Sequence, residues 1–323
     1  MMRHITKLLV LLLLFAQPIF AQSFTMNEAF LRGIIQMNTI QPTLRIRMSA
    51  HGPLHTLAND CEMHVAGTVQ GGSMGNPPAI VVEFPNWCVF NPQGNLGDNF
   101  ETLRQKWDTF ATSNLDNKTC DVRGFLRIFT EHATGGGGPT NPDHAYEFHP
   151  ALSMQCANQT FSFGNMLRAF PGLRHISNGA ASSCLSGRGL RVRFLHNRYE
   201  FTEGGGGTCG NFVIVRVSAI HESSTMAGGH YAVVTATANG QTTSQVGLYT
   251  LTGSPLDSWL AQVIASGGMG SSTKVIHGVF TYNWHSIIRT LRNPDGTLRR
   301  PNQLTAVQPA LAVIAYGETT APF

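Results

Sequence analysis

Short runs in which apolar and polar side chains alternate dominate the chain: TLRIRMSA (43–50), AIVVEF (79–84), CDVRGFLRIF (120–129), HPALSM (149–154), GLRVRFL (189–195), NFVIVRVSAI (211–220), HYAVVTATA (230–238) and VGLYTLTG (246–253). A period of two sends successive side chains to opposite faces, so each run predicts a strand, and Gly, Pro and Asn bound most of them. Helical spacing is scarce. It is clearest over 99–114 (NFETLRQKWDTFATSN) and 255–267 (PLDSWLAQVIASG), each with a polar start. Two glycine runs, Gly135 to Gly138 and Gly204 to Gly207, predict loops.

Taken in order, these elements predict an internal duplication. The first half runs LRIRMS, CEMHVAGTV, AIVVEFP, the helix with Trp107, CDVRGFLRIFTEH and FHPALSM; the second runs LRVRFL, HYAVVTATA, VGLYTLTGSP, the helix with Trp259, KVIHGVFTYNWH and VQPALAVIAY. The paired cues are Gly124 with Gly278, His132 with His285, and Pro150-Ala151-Leu152 with Pro309-Ala310-Leu311. About five strands with a helix between the third and fourth make a small Greek-key barrel of the OB type, which closes its sheet edges and keeps a binding face. The expected fold is therefore mainly β, two tandem OB-like barrels with one short helix each, divided at 22–165 and 166–323.

The first 21 residues stand apart. Arg3 and Lys7 precede an apolar run from Leu8 to Phe15, and Ile19-Phe20-Ala21 offers a small-residue cleavage pattern. The run is too short for a bilayer core of ~30 Å, so it predicts a signal peptide cleaved after Ala21, and a periplasmic or extracellular protein with no membrane-spanning segment in its mature part. The formal charge of +4 falls to +2 once Arg3 and Lys7 are removed. With only 12% charged residues and no basic stripe, a dedicated nucleic-acid binder is not expected. Six cysteines in an exported chain predict disulfides, here in sequence order: Cys61 with Cys88, Cys120 with Cys156, Cys184 with Cys209. No C-x-x-C spacing supports a thiolate metal site.

Against this background one strand is unusual. In DCEMHVAG (60–67), Asp60, Glu62 and His64 share a face opposite Cys61, Met63 and Val65. Glu147 and His149 likewise share a face, and His132 ends the GFLRIF strand. Three imidazoles, His64, His132 and His149, with a carboxylate form a ligand set suited to zinc or a similar divalent metal. Glu62 or Glu147 would then be the general base of an ester, amide or phosphodiester hydrolase. The same residues read equally as a structural Glu–His network, since polar faces of antiparallel strands carry such groups and the spacing lacks the specificity of H-E-x-x-H. The chain is then a non-catalytic binding module for an envelope glycan, a peptide or another exported protein.

Four segments, DCEMHVAG (60–67), AIVVEFPNWC (79–88), GFLRIFTEH (124–132) and YEFHPALSM (146–154), resemble in that order a group of exported bacterial proteins with an OB-like domain. Members of that group carry acidic-x-acidic-x-His, VEFP…C, TGxGFFDxxH and ELHPV strands. The resemblance covers roughly residues 44–156 and implies the barrel but no particular reaction. Residue by residue it points to Asp60, Glu62, His64, Glu83, Cys88, Gly124, His132, Glu147, His149 and Pro150. It departs at Phe129, where the pattern has an aspartate, and a mechanism needing that carboxylate loses it.

Other signals are weaker. No G-x-S-x-G elbow, P-loop or dinucleotide pattern occurs in a strand-to-helix setting. His230 and Asp257 pair with no particular serine by spacing, and Arg188, Arg191, Arg193 and Arg198 read as a solvated strand face. Trp87 and Trp284 are placed as barrel-end covers rather than stacking platforms.

Overall fold

The computed structural model describes residues 22–55, 61–71, 74, 78–84, 99–134, 137–163, 178–205, 209–210, 212–267 and 273–319. The expected signal peptide, the expected division at 165/166, Asp60, Trp87 and Cys88 lie outside these residues. The first barrel consists of β2 (Thr43–His51), β3 (Met63–Val69), β4 (Ala79–Phe84), β5 (Thr119–Ile128) and β6 (Tyr146–Cys156). β2 pairs antiparallel with β3 and β5, β3 with β4, and β5 with β6; a parallel pairing of β4 with β6 closes the ring. A short strand, β7 (Gln159–Ser162), extends β6 on its outer edge.

The second barrel repeats this connectivity with β10 (Phe212–Met226), β11 (Gly229–Ala238), β12 (Gln241–Leu251), β13 (Lys274–Tyr282) and β15 (Leu311–Glu318), closed by the parallel pair β12 with β15. Each barrel carries its helix between the third and fourth strand, α2 (Phe100–Asn114) and α4 (Asp257–Ala265). The Asn99 side chain caps α2 by accepting from Thr102 N–H at 2.9 Å. Leu103, Trp107 and Ala111, four apart, form the buried stripe of that helix, and Trp107 Nε1 donates to the Gly52 carbonyl at 2.8 Å. The two OB-like barrels expected from the pattern are thus present.

Gly124 and Gly278 mark the same place in the two barrels. Gly124 pairs with Ala151 and Gly278 with Ala315. A Cβ on either glycine would run into a carbonyl oxygen, of Pro150 and of Ile314 respectively. Backbone approach this close accepts only glycine. The pairing corrects the expected alignment: Ala151 corresponds to Ala315, not to Ala310. β15 is buried from Leu311 to Tyr316 on both faces, and a continuous apolar run gives no phase from which to set the register.

A further layer was not expected. β1 (Ser23–Asn27), β9 (Arg198–Gly204), β8 (Gly189–Leu195) and β14 (Thr305–Val307) form a four-stranded sheet in that order. GLRVRFL therefore opens no barrel; the counterpart of β2 is β10. Three more helices, α1 (Glu28–Met37), α3 (Asn178–Gly187) and α5 (Trp284–Leu291), complete the described elements. Disulfides join Cys120 to Cys156, directly opposite each other on β5 and β6, and Cys184 to Cys209. Cys61 is also disulfide-bonded. Among the described residues no helix is long and apolar enough to cross a membrane.

Candidate functional site

Period two in β3 and β4 sorts their side chains into two sets. Val65 pairs with Val82, and one residue earlier His64 pairs with Glu83, so the two pairs point to opposite sides of the barrel wall. On the charged side, Arg127 pairs with Glu147 across β5 and β6. Arg127 Nε donates to the carbonyl of Phe280 on β13 at 2.6 Å. The His149 ring lies 5.7 Å from that of Phe212 and 6.2 Å from that of Tyr316. The charges therefore occupy the outer face of the first barrel, and the second barrel covers them.

His149 reaches its position through a bulge. Between the pairs Gly124–Ala151 and Leu126–Phe148, the two residues His149 and Pro150 oppose the single Phe125. His149 Nε2 lies 2.9 Å from Glu62, and Nδ1 lies 2.6 Å from Glu83 and 3.5 Å from Glu147. Glu147 holds a short ion pair with Arg127, and its other oxygen is 3.0 Å from His144 Nε2. Arg127 lies 3.6 Å from Glu131, with its guanidinium 4.5 Å from the centre of the Phe129 ring. Apart from Glu131, whose side chain is 27% exposed, the group is sealed: His149 and Arg127 are 0% exposed, Glu62 and Glu147 2%.

Such burial penalises every charge, and the neighbours decide the outcome. Burial pushes the Glu147 carboxyl up, but Arg127 and the contacts from His144 and His149 hold it well below its ordinary range. Glu83 is likewise held down against burial, chiefly by His149. Burial opposes a proton on His149, and Tyr316, Glu62 and Glu83 outweigh it, raising that ring well above the usual histidine range. His144 is raised against burial by Glu147. Arg127, His144 and His149 thus face Glu62, Glu83 and Glu147, with Glu131 at the rim of the group. At the margin, burial lowers His64 and raises Glu131.

Of the residues singled out in the sequence, Glu62, His64, Glu147 and His149 share this face. His132 sits on the turn after β5, its ring 5.3 Å from that of His144, and meets the cluster through that ring. The donor atoms of Glu62, Glu83 and His149 lie within 4.8 Å of one another. Two donors sharing a tetrahedral zinc at about 2.0–2.1 Å sit roughly 3.4 Å apart. The 2.6 Å between His149 Nδ1 and Glu83 is instead the length of a charge-assisted contact. Both ring nitrogens lie at ion-pair distance from carboxylates, Glu62 and Glu83, without the alignment of a hydrogen bond.

Arg127 and His144 were missed. In CDVRGFLRIF the arginine occupies an ordinary alternating position, and only the second barrel makes that position a buried one. His144 carried a signal in its spacing, three residues before Glu147 in HAYEFH.

A second candidate lies beside the cluster, a cleft of about 340 Å³ between the barrels. Ile34 and Ile35 of α1, Phe125 of β5, Tyr249 of β12 and Trp284 and Ile288 of α5 supply apolar walls, Arg289 and Arg292 supply its cationic groups, and His285 adds an imidazole. Its floor is a satisfied polar chain: Tyr249 Oη donates to Asn283 Oδ1 at 2.9 Å, and Asn283 Nδ2 donates to Tyr231 Oη at 2.9 Å. Asn283 also caps α5, accepting from Ser286 N–H at 3.2 Å. Trp284 Nε1 donates to the Leu126 carbonyl at 2.5 Å, so this ring bridges the barrels as it lines the cleft. No protein-family model matches the sequence, and neither does any curated protein.

Proposed function

We propose that the chain is an exported, non-catalytic binding protein whose recognition surface is the cleft between its barrels. The observation that carries this reading is a contrast in access. The charged cluster is covered on the face by which OB-like barrels bind, whereas the cleft opens to solvent and has the size, apolar walls and few polar groups of a small-ligand site. Charge compensation gives the cluster a sufficient structural role as a lock between barrels. Export is supported by the N-terminal apolar run and by the two disulfides.

The metal-dependent hydrolase remains the second reading, favoured by the approach of Glu62, Glu83 and His149 donors to within 4.8 Å. The test is a titration with N-phenyl-1-naphthylamine, a neutral dye that brightens in apolar sites. One saturable site per chain, lost in Ile288→Trp, is expected, together with no stoichiometric metal. About one divalent ion per chain, lost in a folded His149→Ala variant, would replace this reading by the hydrolase.

A further inference from the structure

The cleft has a sign. Its lining contains Arg289, Arg292 and His285 and, among the described residues, no aspartate or glutamate. Arg289 is partly engaged: it donates to the Gln308 carbonyl at 2.7 Å and lies 3.7 Å from Glu222, which sits outside the cleft. Arg292 is exposed and, among the described residues, forms no ion pair. Its guanidinium lies by Gly296, whose added Cβ would stand 3.6 Å from Nη2. His285 stacks on Tyr231 with centroids 4.4 Å apart and has Nε2 4.0 Å from Glu222; burial lowers its proton affinity, and Glu222 opposes that shift. The carbonyl end of α1 does not repel an anion strongly, because Asn38 N–H caps Ile35 O at 3.1 Å.

From this arrangement we infer that the cleft takes a small amphipathic carboxylate, with its hydrocarbon body against Ile34, Phe125 and Trp284 and its anionic head on Arg292, assisted by Arg289. The apolar walls alone would accept any greasy molecule; the guanidinium of Arg292, with that of Arg289 shared with Glu222, selects the charge of its head. Arginine suits the role, since its planar fork matches a carboxylate in a way a point charge does not. The inference rests on the cleft being the recognition surface.

Competition against N-phenyl-1-naphthylamine by decanoate, 1-decanol and decylammonium separates the two claims. Decanoate is expected to displace the dye at a concentration about tenfold lower than decanol, the factor that one charge-assisted hydrogen bond gives at a partly exposed site. Decylammonium should be the weakest. In Arg289→Gln/Arg292→Gln the decanoate-to-decanol ratio should fall to about one. Should that variant fail to fold, wild-type protein still decides the matter, because the decanoate advantage must shrink as salt is raised. Equal displacement by decanol and decanoate, or a preference for decylammonium, overturns the carboxylate and leaves the cleft standing. Absence of any saturable dye site lost in Ile288→Trp overturns both.

Discussion

Replacing Arg127 by methionine is the sharpest perturbation of the interbarrel cluster. Methionine keeps much of the stem that packs under Phe129 and removes the guanidinium. Glu147 then remains buried at 2% exposure without its principal counter-ion, and the Phe280 carbonyl loses its donor at 2.6 Å. Breaking one partner of a buried pair costs roughly 3–5 kcal/mol, and an orphaned carbonyl adds about 1 kcal/mol. The expected loss is thus about 5 kcal/mol, a large share of the 5–15 kcal/mol typical of a native protein. Urea unfolding at pH 7, followed by tryptophan fluorescence and by circular dichroism, measures it. Adding Glu147→Gln to the same chain should return part of the loss, leaving the double variant at least about 1.5 kcal/mol better than the sum of the singles. A loss under about 1 kcal/mol with an unchanged urea slope, or strict additivity in the cycle, would refute the picture of a sealed and mutually compensated cluster.

Other consequences can be checked independently. Burial lowers His277 to about 4, so this ring is neutral in the folded state, and stability should fall on the order of 3 kcal/mol as pH drops from 6.5 to 4; His277→Asn should flatten that limb in pH-dependent urea midpoints. His149 has the opposite sign: with its folded pKa raised, its contribution is complete below 6.5 and lost as pH rises through the higher folded value, so an alkaline loss should be absent in His149→Gln. The Cys120–Cys156 disulfide closes a separation of 36 residues. Loop entropy assigns such a closure about 4 kcal/mol, so Cys120→Ser/Cys156→Ser should lower the urea midpoint accordingly. Gly124→Ala and Gly278→Ala should each cost more than about 2 kcal/mol because a carbonyl oxygen blocks the new methyl; Gly189→Ala, whose nearest atom is 3.6 Å away, should stay within about 0.5 kcal/mol by thermal unfolding.

The alternation of period two made the barrels legible, and the two periodic helices fell within two residues of their observed ends, because both signals report local geometry. The two described disulfides were legible for a similar reason: neighbouring cysteines in the chain end on neighbouring elements. What escaped was set by distant packing. GLRVRFL reads the same whether its strand joins a barrel or the small sheet with β1, since periodicity names a face and not a partner. Arg127 was missed because the chain that buries it, at Phe280, lies 153 residues away. His149 was found, yet the bulge that turns it between Glu62 and Glu83 depends on a pairing slip that no spacing encodes.

The contact between the two barrels explains why the two candidate sites adjoin. Two barrels of one connectivity meet through unlike outer faces, charged on the first and aromatic on the second, with Phe212 and Tyr316 against His149 and Tyr249 against Phe125. Three consecutive residues of β5 carry the seam: the Leu126 carbonyl accepts from Trp284, Arg127 donates to Phe280, and Ile128 N–H donates to Thr281 Oγ at 3.2 Å. Phe125, the next residue back, already belongs to the cleft, its ring 4.9 Å from Tyr249. One strand therefore builds the lock and one wall of the cleft together. A cluster that fixes β5 against β13 also fixes the distance between Phe125 and Trp284, so that a ligand of the proposed kind would meet a cleft already formed and lose little affinity to ordering it.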